Sequence, residues 1–226
     1  MPNSERGFNS EPKFTFRMPT HIATAHSLAG NRQDRRRART RAELLAAAKR
    51  LLASKGFHGT KIADIATAAD VGTGTFYLHF PTKEALFADL VRETSLRAKD
   101  EMDRAQEPFA DPRDQVRVAI ETFFRFADRN RDVFKILFGH SAQFDDLLRE
   151  VHQIFILDVE ENNARGVAAG AFKPFRSALV AQAVVGMLSQ VVSWWLEHDD
   201  ISIEEITHTV HQMLQNGIAV KENSHE

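Results

Sequence analysis

The stretch TKIADIATAADVGTGTFYLHFPTK, residues 60–83, leaves little freedom in how it folds. The Thr60 hydroxyl can cap a helix start, and Ile62, Ile65, Ala66 and Ala69 then recur at helical spacing as one narrow apolar stripe. Asp70-Val71-Gly72 breaks that helix, and Gly72 or Thr73 can cap the next, where Phe76 and Phe80 fall four apart on one face. Pro81 ends the second helix, and Thr82 opens a third with Glu84 in its first turn. Two short helices around a tight turn make a helix-turn-helix, whose second helix can enter the DNA major groove. With Ile65, Val71, Phe76 and Phe80 turned inward, Thr73, Thr75, Tyr77 and His79 face outward, and their hydrogen-bonding groups suit phosphates and base edges. An ordinary helical hairpin shares this pattern, so the charge distribution has to separate the two.

Residues 32–83 hold eleven Lys and Arg against four Asp and Glu, a net of +7, whereas the whole chain is at −2 and the remainder therefore near −9. A basic block that coincides with the helix-turn-helix, beside an acidic body, suits a nucleic-acid contact at one end. The run RQDRRRARTR, residues 32–41, reads as a basic arm that tracks phosphates or enters a minor groove. A solubilising tail explains its outer arginines equally well; Arg39 and Arg41, nearest the domain, are the better candidates. Residues 1–30 are rich in Pro, Ser, Asn and Thr without a period and are expected to be loosely ordered, with Met18 an alternative start.

Residues 71–86, VGTGTFYLHFPTKEAL, resemble the recognition segment of TetR/AcrR-type transcriptional regulators. That family shows Gly-Thr, an apolar residue, Tyr-x-His-Phe and then a Lys-Glu pair opening the fourth helix, and the similarity extends upstream through 42–57 and 60–69. Asp70 departs from the pattern, standing where the family usually has Gly, and so does Gly72-Thr73, where Ser-Lys is common. The resemblance implies an all-α protein: a basic arm over 1–36, a three-helix DNA-binding domain over 37–81, and a larger ligand-binding and dimerisation domain over 82–226. It also implies a repressor that leaves a palindromic double-stranded DNA operator when a lipophilic small molecule binds. Carried onto this chain, the DNA contacts are Arg39, Arg41, Thr60, Lys61, Thr73, Gly74, Thr75, Tyr77, His79 and Lys83.

Helical periodicity continues to the end of the chain. Leu44, Leu45, Ala48, Leu51 and Leu52 give 42–55 a core stripe, and Gly56 ends it, so that 42–80 reads as a domain with its own small core. Residues 82–104 read as one long helix without internal Pro or Gly, able to transmit movement as a rod. Further helices are expected over 114–130, 132–138 and 144–169. Residues 177–196 are apolar nearly all round and long enough to raise the question of a membrane span. The polar Gln182, Ser189, Gln190 and Ser193, and the acids after residue 196, favour instead a helix buried on both sides. Residues 202–218 place Ile203, Ile206, Val210, Met213 and Leu214 on a seam near 3.5 residues. The last two helices are the expected homodimer contact, since paired helix-turn-helix units read two half-sites.

The middle of the chain is dense in phenylalanine, which suits either plain core packing or an apolar ligand cavity. Phe123, Phe126, Phe134, Phe138 and Phe155 are the candidate walls. With no cysteine, thiolate chemistry and Cys-type metal sites are excluded, and His208 with His211 alone falls short of a ligand set. No phosphate loop or nucleophile elbow is present, so neither catalysis nor a cofactor is expected. A cytoplasmic protein with no membrane contact is the reading that fits. Two alternatives stay open: a regulator controlled by a partner or acting as an activator, and an enzymatic or metal-binding helical protein.

Overall fold

The computed structural model describes residues 32–139, 141–198 and 200–218, and every element in them is a helix. The helices are α1 (Arg32–Gly59), α2 (Ile62–Ala68), α3 (Thr73–His79), α4 (Lys83–Gln106), α5 (Pro112–Arg129), α6 (Arg131–Gly139), α7 (Ser141–Ala168), α8 (Ser177–Trp195) and α9 (Ile203–Ile218). The chain divides after Arg39, and the packing of the helices lies within the unit Thr40–Glu226. The expectations for residues 1–30, Met18 included, lie outside the described residues. The arm is helical where it is described: α1 begins at Arg32, so 32–36 continue the helix.

Local chemistry sets most boundaries. α1 kinks at Gly56, whose φ of 67° and ψ of 178° suit glycine alone. Thr82 caps α4 by accepting from the Ala85 N–H at 3.0 Å, and Asp111 caps α5 ahead of Pro112. Asp70 sits at φ 55°, so the turn between α2 and α3 demands the left-handed region that the more usual glycine would enter without strain. Thr60 does not cap α2. The cap position is Lys61, which makes no side-chain bond there, and the Thr60 hydroxyl instead donates to the Gly56 carbonyl at 2.7 Å.

α7 ends in a Schellman motif with Gly170 (φ 72°) just past its end, where the Gly170 N–H donates to Val167 and the Ala171 N–H to Gly166. Buried Phe172 then folds back onto Gly166, where an added Cβ would lie 2.2 Å from two ring carbons. Gly166→Ala should therefore lower stability by about 1–2 kcal/mol even though alanine is the better helix former, because expelling the ring outweighs the propensity gain. Chemical denaturation checks this; a stabilised variant would mean that Phe172 moves aside freely.

The DNA-side helices do not have a core of their own. Leu44, Phe57, Ile65, Phe76 and Phe80 form one continuous cluster with Phe87 and Val91 of α4, Val133 and Leu137 of α6, and Phe144 and Val151 of α7. The reason is aromatic: Phe87 meets Phe57 edge-on at 5.5 Å and Phe144 at 4.8 Å, so it bridges α1, α4 and α7. A second cluster joins Ile120 and Phe124 of α5, Val192 and Trp195 of α8, and Ile206, Val210 and Leu214 of α9.

Nor is α8 buried on both sides. Ala181, Val184, Val185, Val192 and Trp195 form its inner stripe, while Leu179 (67 % exposed) and Trp194 (46 %) face outward; Met213 of the α9 seam is exposed as well, at 60 %. By length and composition α8 is apolar enough to cross a membrane, and its inner stripe packs into the helical core. Hydropathy without a period cannot tell which face of such a helix turns inward.

Candidate nucleic-acid interface and effector cavity

α3 is pinned by Phe76 and Phe80, both almost fully buried and 5.8 Å apart between ring centres. Pinning that face turns Thr73, Gly74, Tyr77 and Leu78 to the other, at positions i, i+1, i+4 and i+5, where all four are exposed. Tyr77 is 55 % exposed and Leu78 73 %. Thr75 and His79 are half-buried at the edge of this face, and Lys61 is exposed at the start of α2. Leu78 is absent from the sequence-based set because an apolar residue between Tyr77 and His79 reads as core. Its signal was available: with Phe76 and Phe80 inward at i and i+4, residue 78 must point away. An exposed leucine here can contact a thymine methyl in the major groove. A Cβ on Gly74 would meet nothing within 4 Å, so internal packing does not require glycine at this exposed helical position.

Three expected DNA contacts are engaged inside the protein. Thr60 is 1 % exposed and bonded to Gly56, out of reach of a phosphate. Arg41 donates to Glu93 and Asp89 of α4, each at 2.7 Å, with its guanidinium carbon 5.4 Å from the centre of the Phe80 ring. Partial burial opposes its charge, but those two hydrogen bonds outweigh it and raise the pKa. Asp89 also accepts from Arg92, which grips Glu150 of α7 with Nε and Nη2 at 2.7 and 2.8 Å. Arg41 is thus the first member of an ion-pair chain from α1 through α4 to α7. Lys83 donates to the carbonyls of Phe57 (2.6 Å) and Thr60 (2.9 Å) and lies 4.4 Å from the Phe57 ring centre. It ties the end of α1 to the start of α4. Arg39 falls in the unit before Thr40.

Lys83→Met keeps the aliphatic stem on Phe57 and removes two charge-assisted bonds, so it should lower stability by about 1.5–3 kcal/mol. It should leave the salt dependence of DNA binding unchanged. A phosphate contact would instead flatten the slope of log K against log salt by about 0.9.

The phenylalanines of the middle region surround a cavity of about 80 Å³ between α4, α5, α6, α7 and α8. Phe123, Phe134, Phe138 and Phe155 line it. Phe126 does not: it is buried outside the wall, with the Arg129 guanidinium carbon 5.9 Å from its ring centre. The polar members of the wall are Thr94, Ser95, His152 and Ser189. Burial holds the His152 pKa below the ordinary imidazole value, and its Nε2 lies 2.8 Å from the Ser189 hydroxyl.

Comparison with known proteins matches residues 44–90 to the family described as bacterial regulatory proteins, tetR family, and residues 110–218 to the tetracyclin repressor-like C-terminal domain. The HTH-type transcriptional regulator YdgC of Bacillus subtilis, itself uncharacterized, is 26 % identical over 195 residues, covering 80 % of this chain and 96 % of that protein. The HTH-type regulator EthR of Mycolicibacterium smegmatis is 40 % identical over 84 residues, which span 37 % of this chain and 39 % of that protein. Among solved structures, the transcriptional regulator FadR from Bacillus subtilis in complex with stearoyl-CoA superposes with a TM-score of 0.68 at 19 % identity, over 76 % of this chain and 96 % of that one, a likeness of fold. A helix-turn-helix with an outward polar face, an all-helical body behind it, and family matches over both parts agree: the chain belongs to the TetR family of bacterial regulatory proteins.

Proposed function

We propose that this DNA-binding regulator works as a cytoplasmic homodimer, pairs through the outward faces of α8 and α9, represses from an inverted-repeat operator, and is released by a small lipophile in the central cavity. The observation that carries the DNA-reading part is the exposed face of Thr73, Gly74, Tyr77 and Leu78 on a helix whose other face is locked by two buried phenylalanines. On this reading Thr73, Thr75 and Tyr77 bond to bases and phosphates, Leu78 reads methyl groups, and His79 and Lys61 hold the flanking backbone. Arg39 remains a candidate for phosphate contact. Gly74 allows the DNA to approach the helix closely.

The cavity supports the effector part because its wall belongs to the helices that the ion-pair chain connects to α1. Arg92 of α4 and Glu150 of α7 lie beside the wall residues Val91 and Val151 in sequence. A ligand that shifts α7 against α4 would reach α1 through Asp89 and Arg41. Useful switching asks the ligand to prefer the DNA-free form by about 1–3 kcal/mol. The FadR relative named with stearoyl-CoA supports a lipophilic effector for this fold.

The test is Gly74→Ala. With space around the new Cβ, stability should rise by up to about 0.5–1 kcal/mol. Affinity for duplexes selected from a random pool should fall at least tenfold, because the methyl group occupies the space of close approach. A variant that binds those duplexes as tightly as the parent would remove α3 from the interface. The selected duplexes should share an inverted repeat with half-sites about one or two helical turns apart.

A further inference from the structure

Among the described residues the cavity wall contains no Asp, Glu, Lys or Arg; its polar side chains are Thr94, Ser95, His152 and Ser189. The Thr94 hydroxyl is already committed, donating to the Leu90 carbonyl at 2.7 Å. Arg97, whose Nη2 donates to the Thr94 hydroxyl at 3.3 Å, is not part of the wall. What the interior offers a ligand is therefore an aromatic and aliphatic surface with the lone hydroxyl of Ser95 and one polar spot that pairs an imidazole with a hydroxyl, His152 and Ser189 at 2.8 Å. A neutral imidazole and a hydroxyl can together donate one hydrogen bond and accept another.

Resting on the effector reading above, we infer that the cavity selects an uncharged, compact lipophile with a single hydrogen-bonding oxygen, seated on Phe123, Phe134, Phe138 and Phe155 with its oxygen toward His152 and Ser189. Desolvation decides between charged and uncharged ligands. Moving a carboxylate or ammonium from water into an apolar interior without a counter-ion loses several kcal/mol per ion. Phenylalanine faces return only about 0.5–2 kcal/mol to a cation, and nothing in the wall compensates an anion. A hydroxyl or carbonyl loses much less on transfer, and one hydrogen bond restores most of that. Burial keeps His152 uncharged near neutral pH, so the polar spot itself adds no charge for an anion to pair with. Size points the same way. At about 80 Å³ the cavity is about half the engineered apolar site of about 150 Å³ that accepts benzene, so a single ring enters with some movement of the wall and anything much larger is disfavoured.

The experiment uses three single-ring probes of matched frame on the full-length protein: 2-phenylethanol, phenylacetate and 2-phenylethylammonium. Thermal unfolding is read for the free protein, and anisotropy for its complex with a selected duplex. 2-Phenylethanol at ten times its Kd should raise the Tm by about 3 °C or more and weaken DNA binding. The two ions at equal concentration should do neither. Ser189→Ala and His152→Phe should each weaken the alcohol at least fivefold while leaving DNA affinity in its absence unchanged. If phenylacetate or the ammonium acts as strongly as the alcohol, the inference is overturned and the effector reading stands. If none of the three changes either readout, the inference and the effector reading fall together, while DNA binding keeps its own test. If the alcohol acts equally on both variants, the polar spot is not where it binds.

Discussion

If the protein pairs as proposed, Leu179→Glu combined with Trp194→Glu should leave it monomeric and weaken binding to a two-half-site operator by at least 100-fold. The two residues sit at opposite ends of the outward face of α8, a helix of 19 residues and so about 28 Å long. Between them the outward positions are Gln182, Ala183, Gly186 and Gln190, with no charge, and Met213 of α9 lies exposed as well. An exposed face of this length without charges marks a surface that is covered in use. A stable dimer buries roughly 800 Å² per partner, and this uncharged face is the surface proposed to supply it. Two glutamates per protomer would be buried across the two-fold axis without partners, at a loss of several kcal/mol each. Because the four positions of the pair are exposed in the protomer, folding itself should survive. The loss of DNA affinity follows from linkage: joined half-site readers gain about 10²–10⁴ over single ones. Sedimentation equilibrium reads the first effect and anisotropy titration the second. A double variant that stays dimeric and binds unchanged would move the interface to another face.

Phe87→Ala should lower stability by about 3–5 kcal/mol, the range for emptying a buried phenylalanine site. For a chain of this length that corresponds to a fall in Tm of about 8–15 °C. Phe87 is fully buried where α1, α4 and α7 meet, with Phe57 and Phe144 against it. The ring belongs to a single cluster running from Leu44 to Val151, so parent and variant should each unfold in one transition from the helix-turn-helix through α7. Calorimetry that resolves a separate early transition for the DNA-side helices would contradict the continuous core.

The local parts of the molecule were legible in its sequence. The inward pair Phe76 and Phe80 and the start of α4 at Thr82 each follow from spacings of a few residues, and the structure places them accordingly. What could not be read depends on partners far along the chain. Arg41 and Lys83 look like phosphate contacts because the basic block is counted as free charge, yet their oxygens come from Asp89 and Glu93 in one case and from Phe57 and Thr60 carbonyls in the other. Thr60 has the composition of a cap and sits one residue early, so its hydroxyl turns back to Gly56. Phe126 and Phe123 are three apart on one helix, which the density of phenylalanine cannot separate into cavity and core. α8 is apolar on both faces for two reasons, one facing its own core and one facing outward, and composition alone sums them. Leu78 is a different case: the inward pair Phe76 and Phe80 already requires residue 78 to point away, and only its apolar type argues for the core.

The most direct test is anisotropy of the purified protein on the DNA upstream of its own coding region against a random duplex of equal length, from 50 to 300 mM salt. A sequence-reading dimer predicts binding at least 10³-fold tighter to a duplex that holds its operator, with a steep salt slope on both and a preference that survives at high salt. Should the upstream region lack the operator, the inverted repeat from the selected pool replaces it in the same titration. Equal affinity for the selected and random duplexes at every salt concentration would contradict the account, since the exposed face of α3 would then carry no sequence information.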